Sequence, residues 1–140
     1  MSGYSRTPLA KKLGIKPATR LCVVDPPDGF YDLLEALPDD VEIVEGALGR
    51  APVTVVFATR ESDLVAWLTK LEPSIERGDR LWVAWPKRAS KKPTDLAFEV
   101  VQSEGLLRGL VDTKVCAIDQ TWSGLCFMRR REGSTTAVAR

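Results

Sequence analysis

The sequence predicts a mostly parallel α/β protein, and three observations support this prediction. Apolar strand-like runs alternate with amphipathic helical segments four times along the chain, which is typical of a parallel sheet covered by helices. The run at residues 81–85 is apolar on both faces, as expected for a central strand between two helical layers. Two strand-like runs near the carboxyl terminus are joined by only five residues, and a connection that short permits only an antiparallel pair.

The first predicted element is a short helix at residues 7–14, which we expect to pack on the domain as a lid. Thr7 caps it, Pro8 takes the first helical position and Gly14 ends it. This segment also resembles the first half of a helix-turn-helix. A strand rather than a recognition helix follows at residues 20–24, which argues against DNA binding.

The remaining elements follow from hydrophobic spacing and turn residues. Asp28 is predicted to cap the second helix, and Thr94 to cap the last one. The predicted strands occupy residues 20–24, 41–44, 53–58, 81–85, 114–119 and 125–130. The later helices are predicted at residues 28–37, 62–71 and 94–104.

Length and composition indicate one domain. The chain has 140 residues, of which 44% are hydrophobic, enough for one core and too few for two domains. We assign residues 1–132 to this domain and expect residues 133–140, which are small and polar, to form a disordered tail. No apolar run approaches bilayer length and the amino terminus lacks the hydrophobic part of a signal peptide, so we expect a cytoplasmic protein that does not bind membranes.

Histidine and cysteine usage narrows the possible chemistry. The chain has no histidine, which excludes Ser–His and Cys–His nucleophile pairs and the usual zinc ligand sets. Cys22, Cys116 and Cys126 lie in apolar runs without CxxC spacing, so we predict that they are buried and reduced. The sequence therefore predicts no metal requirement and identifies no catalytic residue.

A cationic loop follows the central strand, and we consider it the principal candidate site. Pro86 ends the strand, and four cations follow within six residues: Lys87, Arg88, Lys91 and Lys92. Ligands of open α/β sheets bind at the carboxyl ends of strands. The loop is predicted to capture a phosphate, a carboxylate or an acidic partner, with help from the amino end of the helix after Thr94. The alternative interpretation is a solvated loop without a ligand.

A second candidate site lies near the last hairpin. Strand alternation would place Asp112, Lys114 and Cys116 on one face, where the lysine could activate the thiol. The alternative is a buried thiol beside a lysine whose stem packs on apolar surface.

We predict that this region and the cationic loop form one pocket, in which an anion held by Lys87 reaches the indole N–H of Trp122. Tyr4 could fold over its mouth. The predicted pocket residues are Trp85, Lys114, Thr121, Trp122 and Ser123.

Five motifs stand out along the chain: SGYS at residues 2–5, TPLAKKLGIKP at 7–17, LWVAWPK at 81–87, VDTKVCAID at 111–119 and TWSG at 121–124. With these motifs the sequence resembles a family of short bacterial proteins classed only as a domain of unknown function. The order of elements, with a final antiparallel hairpin, also resembles the Rossmann-like fold of methyltransferases.

The methyltransferase-like topology implies a place to look for a cofactor. An enzyme of this fold carries Gly-x-Gly after its first strand and an acid at the end of its second, which holds the ribose hydroxyls. In this sequence the first strand runs into DPPDG at residues 25–29, so that Gly29 is the one glycine left, whereas Glu45 does follow the second strand. Whether Gly29 and Glu45 belong to a cofactor site stays open on the sequence alone.

The sequence therefore predicts a non-catalytic α/β protein without a cofactor, which binds an anionic small molecule or an acidic partner. The first alternative is a divergent S-adenosylmethionine-dependent methyltransferase. The second is a nucleic-acid-associated protein, which the net charge of +1 does not favour.

Overall fold

The computed structural model describes residues 7–34, 36–46 and 49–130. The predictions for Tyr4 and for the tail at residues 133–140 lie outside these residues. The strands are β1 (Arg20–Val24), β2 (Glu42–Glu45), β3 (Val53–Phe57), β4 (Arg80–Pro86), β5 (Leu110–Ala117) and β6 (Trp122–Arg129). The helices are α1 (Leu9–Leu13), α2 (Phe30–Leu33), α3 (Glu61–Leu71) and α4 (Phe98–Leu107), with 3-10 turns at Glu72–Ser74 and Arg88–Ser90.

The six strands form one sheet in the order β2-β1-β3-β4-β6-β5. Strands β1 to β4 are parallel, and β6 is antiparallel to both of its neighbours, β4 and β5. The carboxyl ends of β1 to β5 therefore lie along the same edge of the sheet. The chain goes from β1 outward to β2 and then back past β1 to β3, so the winding direction reverses between β1 and β3. Ligands of open α/β sheets bind beside such a reversal. The predicted fold class is confirmed.

Each face of the sheet has its own apolar core, because side chains alternate along a strand. On one face α1 and α2 cover a cluster that includes Val23, Val55, Phe57, Trp82 and Trp122. On the other face α3 and α4 cover a cluster that includes Val24, Val83, Trp85, Leu125 and Phe127. The three layers bury β1, β3 and β4 almost completely.

Helix α1 belongs to the first of these cores. Leu9, Ala10 and Leu13 are buried, and the indole Nε1–H of the buried Trp82 donates a hydrogen bond to the Leu13 carbonyl oxygen over 2.9 Å. Gly14 ends the helix as predicted, with a left-handed backbone at φ +85°. The predicted Thr7 cap is wrong. Pro8 takes the cap position, and its carbonyl accepts the amides of Lys11 and Lys12.

Two other predicted helix starts are also wrong. Helix α2 has only four residues and starts after Gly29 rather than after a capping Asp28. Helix α4 starts at Phe98 instead of at Thr94. The Thr94 hydroxyl donates to the Thr59 carbonyl over 2.5 Å and accepts the Leu96 amide over 3.0 Å, so it ties two loops together instead of capping a helix.

The carboxyl-terminal hairpin is antiparallel as predicted, but its strands are longer. Residues 122–124, predicted to be a turn, are the first residues of β6, so only residues 118–121 connect the two strands. The Asp119 carboxylate accepts the amides of Thr121 and Trp122, both over 2.8 Å, and this side chain replaces the hydrogen bonds of a longer turn. Among the described residues, no helix has the length and apolar character needed to cross a membrane.

Candidate functional site

A pocket of about 580 Å³ opens at the carboxyl ends of β1 and β2. Its wall is the loop at residues 25–29, together with Tyr31 of α2, Glu45 at the end of β2, Gly46 after it, and Trp67 of α3. Small-molecule sites in proteins span about 300–1,000 Å³, so this pocket has the size of a cofactor site. Three carboxylates line it, those of Asp25, Asp28 and Glu45, and they give it an acidic character.

Glu45 is held in this pocket by Tyr31. The Tyr31 hydroxyl donates a hydrogen bond to Glu45 Oε2 over 2.6 Å, which joins α2 to β2. Burial, together with this hydrogen bond and the charge of Glu45, raises the pKa of Tyr31 well above its usual range. Tyr31 therefore stays a neutral donor, and the carboxylate of Glu45 has a second oxygen that this bond does not use.

The glycines of the pocket leave room for a ligand to approach the backbone. Gly29 and Gly46 have φ values of +85° and +64°, and no atom lies within 4 Å of the position that a Cβ would take at either residue. Pro26 and Pro27 have no amide N–H, so the loop offers fewer backbone donors than a glycine-rich loop of the same length. The pocket thus fits a ribose-bearing ligand through Glu45 and the open glycine positions, and fits a ligand phosphate poorly.

A second cleft, of about 620 Å³, lies at the carboxyl end of β4. We call it the cationic cleft, because Lys87, Arg88, Lys91 and Lys92 all line it. Its floor is apolar and consists of Trp85, Leu96 and Phe98, while Glu99 and Ser123 complete the wall. The structure therefore brings the four predicted cations together with Trp85 and Ser123.

Backbone and side-chain hydrogen bonds fix the loop that carries these cations. The Lys87 amide donates to the Thr121 carbonyl over 2.7 Å, which ties the loop to the hairpin connection. The Ser90 hydroxyl donates to the Lys87 carbonyl over 2.7 Å and accepts the Lys92 amide over 3.2 Å. Lys91 has a left-handed backbone at φ +62°, an unusual conformation for a residue with a side chain. The backbone of the loop that carries the four cations thus has a defined conformation.

The prediction that Trp122 also lines this pocket is wrong. Trp122 is paired with Pro86, but its ring packs edge-on against Phe57 at 5.2 Å on the opposite face of the sheet and is only 6% exposed. Ser123, the next residue, is paired with Trp85 and faces the cleft. Lys114 is likewise on the Trp122 side, since it pairs with Cys126 of the first core. Thr121 contributes its carbonyl to the loop instead of a side chain to the pocket lining.

A β-bulge separates Asp112 from Lys114 and Cys116, the other two residues of the second candidate site, which stay on one face as predicted. The register of β5 against β6 shifts between Asp112 and Lys114, so that Asp112 pairs with Phe127 and Lys114 with Cys126, on opposite faces. Asp112 instead accepts a hydrogen bond from Gln102 over 3.1 Å.

The cysteine predictions are partly correct. Cys22 and Cys126 are buried, whereas Cys116 is only half-buried because β5 is an edge strand. Burial raises the pKa of the Cys116 thiol, and the nearby cations of Lys12 and Lys114 offset this effect only in part. A thiol with a raised pKa is a poor nucleophile at neutral pH, so this direction does not favour an activated Cys116, which stays a hypothesis.

A smaller depression of about 380 Å³ lies between the two larger sites, above the carboxyl end of β3. It shares Lys92, Pro93 and Thr94 with the cationic cleft and extends to Thr59 and Arg60. In the part of the chain that the structure describes, no group of three His, Cys, Asp or Glu side chains is placed to hold a metal ion.

Tyr31 and Trp67 are pocket residues that sequence analysis missed. Both lie on helices, and the sequence gives no signal that distinguishes them from surface aromatic residues.

No protein-family model matches the sequence, and no curated protein sequence matches it significantly. Solved structures with the same architecture do exist. The O-methyltransferase NcsB1 from neocarzinostatin biosynthesis, in complex with S-adenosylmethionine and 2-hydroxy-5-methyl naphthoic acid, superposes with a TM-score of 0.61 at 13% identity over 81% of this chain and 49% of its own. LepI in complex with S-adenosylmethionine gives 0.57 at 11% identity, over 89% of this chain and 47% of its own.

Magnesium protoporphyrin IX methyltransferase (ChlM) from Synechocystis PCC 6803, with bound S-adenosylhomocysteine, gives a TM-score of 0.55 at 9% identity over 87% of this chain and 78% of its own. The chain has a Rossmann-like fold similar to that of these methyltransferases. It spans about half the length of NcsB1 and LepI. The predicted methyltransferase-like topology is confirmed, whereas the resemblance to a bacterial domain family of unknown function stays a prediction.

The comparison corrects the function predicted from the sequence. The matched proteins are methyltransferases and related proteins that bind S-adenosylmethionine or its product, so the methyltransferase alternative is favoured over a non-catalytic anion-binding protein without a cofactor.

Proposed function

We propose that the chain is a divergent methyltransferase domain that binds S-adenosylmethionine in the pocket at the carboxyl ends of β1 and β2. The observation that carries this proposal is the position of Glu45. Its carboxylate lies in the same pocket as the loop after β1, beside the reversal of the strand order. An acid at this place accepts hydrogen bonds from the two ribose hydroxyls of a nucleoside cofactor.

The charge of the pocket also favours this cofactor over a nucleotide. S-adenosylmethionine carries a sulfonium cation and no phosphate, and the pocket is lined by the carboxylates of Asp25, Asp28 and Glu45. Opposite charges attract most strongly where water is partly excluded. Two prolines in the loop, which would weaken a phosphate site by removing amide donors, do not conflict with a cofactor that has no phosphate.

Two aromatic residues complete the proposed site. Tyr31 positions the Glu45 carboxylate through its 2.6 Å hydrogen bond and leaves the other oxygen for a ribose hydroxyl. Trp67 lines the pocket with a half-exposed ring, and Lys70 Nζ lies over that ring, 5.1 Å from its centroid. The cofactor supplies an electrophilic methyl group when bound. The chain would hold a methyl acceptor beside the cofactor, because proximity and orientation lower the barrier of a bimolecular transfer.

Thermal stability with S-adenosylhomocysteine tests the proposal. A ligand that binds the folded state at about 100 times its Kd stabilises it by about 2.7 kcal/mol, which corresponds to a rise in Tm of roughly 5–10 °C for a chain of this size. Adenosine diphosphate, which has the same nucleoside but adds phosphates, should raise the Tm much less.

Two matched variants locate the site. Glu45→Gln should weaken binding of S-adenosylhomocysteine about tenfold or more, the effect of losing hydrogen bonds to a charged acceptor. Glu42→Gln removes the same charge from the other end of β2, where Glu42 pairs with Arg20 at 3.6 Å, and should leave binding within about twofold. Failure of S-adenosylmethionine and S-adenosylhomocysteine to bind in calorimetry would overturn the proposed function. Equal effects of the two variants would overturn the site.

A further inference from the structure

We infer that the cationic cleft binds the methyl acceptor, and that this acceptor is a small molecule with an apolar body and an anionic head group. This inference rests on the proposed function, since it assigns the substrate class of the same enzyme. It starts from an imbalance of charge. Lys87, Arg88, Lys91 and Lys92 lie within six residues of one another, and among the described residues none of them forms an ion pair with a carboxylate.

Like charges on neighbouring residues repel one another, and here all four side chains line the same cleft. The Lys87–Thr121 and Ser90–Lys87 hydrogen bonds and the left-handed backbone of Lys91 fix the backbone that carries them. The side chains of Arg88, Lys91 and Lys92 are themselves exposed to solvent. An anion in the cleft would relieve the repulsion, and the fixed loop reduces the entropy cost of binding it.

The rest of the cleft indicates what the anion carries. Its floor is formed by Trp85, which is only 6% exposed, by the buried Leu96 and by Phe98, whose ring is exposed. Of these three residues Phe98 has the most solvent-exposed surface, which a simple inorganic anion would leave in water and an aromatic or aliphatic body would cover. Glu99, on the wall formed by α4, repels an anion at that side and so directs the head group to the loop.

The shape of the cleft favours a small molecule over a nucleic acid. A cleft of about 620 Å³ is concave and has an apolar floor beside its cationic wall, as small-molecule sites with a few charged groups do. A nucleic-acid backbone needs a long cationic track, and a carboxylate such as Glu99 beside the loop works against it.

The position of the cleft makes it suitable for the acceptor. Strands β1 and β4 are separated by β3 alone, so the proposed cofactor pocket and the cationic cleft lie about two strand spacings, roughly 10 Å, apart on the same edge of the sheet. The depression at Thr59 and Arg60 lies between them and shares Lys92 with the cleft. A ligand anchored at the loop can therefore extend toward the cofactor pocket.

The test uses 4-phenylbutyrate as a probe and 4-phenylbutan-1-ol as its uncharged counterpart, both titrated by NMR with and without saturating S-adenosylhomocysteine. We expect the carboxylate to shift the Ser123 amide and Trp85 indole resonances in a saturable way and to bind at least about tenfold more tightly than the alcohol.

The double variant Lys87→Gln/Lys91→Gln should weaken binding of the carboxylate about tenfold or more and leave binding of the alcohol within about twofold. The control Lys11→Gln/Lys16→Gln removes the same net charge from the amino-terminal segment, away from the cleft, and should leave both unchanged. Equal effects of the two double variants on the carboxylate would overturn the inference, as would equal affinities for the acid and the alcohol.

Binding of S-adenosylhomocysteine, measured in the same titrations, separates the two proposals. If S-adenosylhomocysteine binds and the carboxylate does not, the acceptor inference is wrong and the proposed function stands. If S-adenosylhomocysteine does not bind, the proposed function fails, and the cleft loses its role as an acceptor site even if the carboxylate binds. Steeply salt-dependent binding of RNA that displaces the carboxylate would also overturn a small-molecule acceptor.

Discussion

Replacing Gly105 by alanine should destabilise the protein, although alanine is the better helix former. Gly105 is buried in α4, and an added Cβ would lie 2.1 Å, 2.5 Å and 2.6 Å from Cε1, Cζ and Cδ1 of the Phe127 ring. Atoms in real proteins do not approach this closely. Phe127 is 0% exposed, so its ring has no solvent to move into. Either the ring or the helix must shift.

The expected magnitude follows from two opposing effects. Alanine in place of glycine stabilises a helix interior by about 1 kcal/mol. Overpacking of a core costs about 1–3 kcal/mol, and an overlap with three ring atoms belongs at the upper end of that range. The free energy of unfolding should therefore fall by about 2 kcal/mol. With an m-value of about 2 kcal/mol per molar urea, the unfolding midpoint should fall by about 1 M.

Urea unfolding followed by circular dichroism measures this change. Ser103→Ala places alanine on the exposed face of the same helix and should leave stability unchanged or raise it by a few tenths of a kcal/mol. Adding Phe127→Leu to Gly105→Ala should give a coupling energy of at least about 1 kcal/mol, because the smaller side chain removes the overlap. A Gly105→Ala protein as stable as the wild type would refute the close packing of α4 on β6.

Two further predictions concern titrating groups, Tyr31 in the pocket at β1 and β2 and the half-buried Cys116 in β5. In a Tyr4→Phe background, which leaves Tyr31 as the one tyrosine, absorbance at high pH should show ionisation above the usual value near 10, and Glu45→Gln should lower it. The contribution of the neutral Tyr31 to the free energy of unfolding should be complete below about pH 10 and should be lost as the pH rises toward the raised pKa of Tyr31. A Tyr31 that ionises at the usual pKa would contradict its hydrogen bond to Glu45. Cys116 should react with a thiol reagent at pH 7 more slowly than free cysteine, and Lys12→Met should slow it further, since that cation lowers the thiol pKa. Faster labelling of Cys116 than of free cysteine would instead support an activated thiol.

Local pattern was enough to predict most of the sheet. The apolar runs of β1, β3 and β4 are buried on both faces and therefore easily recognised, and the short connection in the final hairpin leaves no alternative to an antiparallel pair. The cationic loop was equally accessible, because Pro86 ends β4 and the charges follow directly in the sequence. These features depend on neighbouring residues and not on distant contacts.

Element ends and the faces of side chains depended on contacts that the sequence does not show. Threonine is a residue type that often caps helices, yet the Thr94 hydroxyl donates to the carbonyl of Thr59, a partner 35 residues away. Strand alternation predicts that Trp122 and Ser123 lie on opposite faces of the sheet, but their pairing with β4 decides which of them faces the cationic cleft. The bulge in β5 then places Asp112 and Lys114 on different faces, whereas Lys114 and Cys116 keep the shared face that strict alternation predicts.

The sequence by itself determined the order of the strands along the chain, the absence of histidine chemistry and the charge of the loop after β4, because each is a property of composition or of local spacing. Only the tertiary structure decided that Tyr31 holds Glu45 in one pocket with the loop after β1. The same is true of Trp85 and Ser123, which lie together beneath the cations. The physical reason is that a site at the edge of a parallel sheet is assembled from the ends of strands that are distant in sequence, and their register is set by long-range pairing.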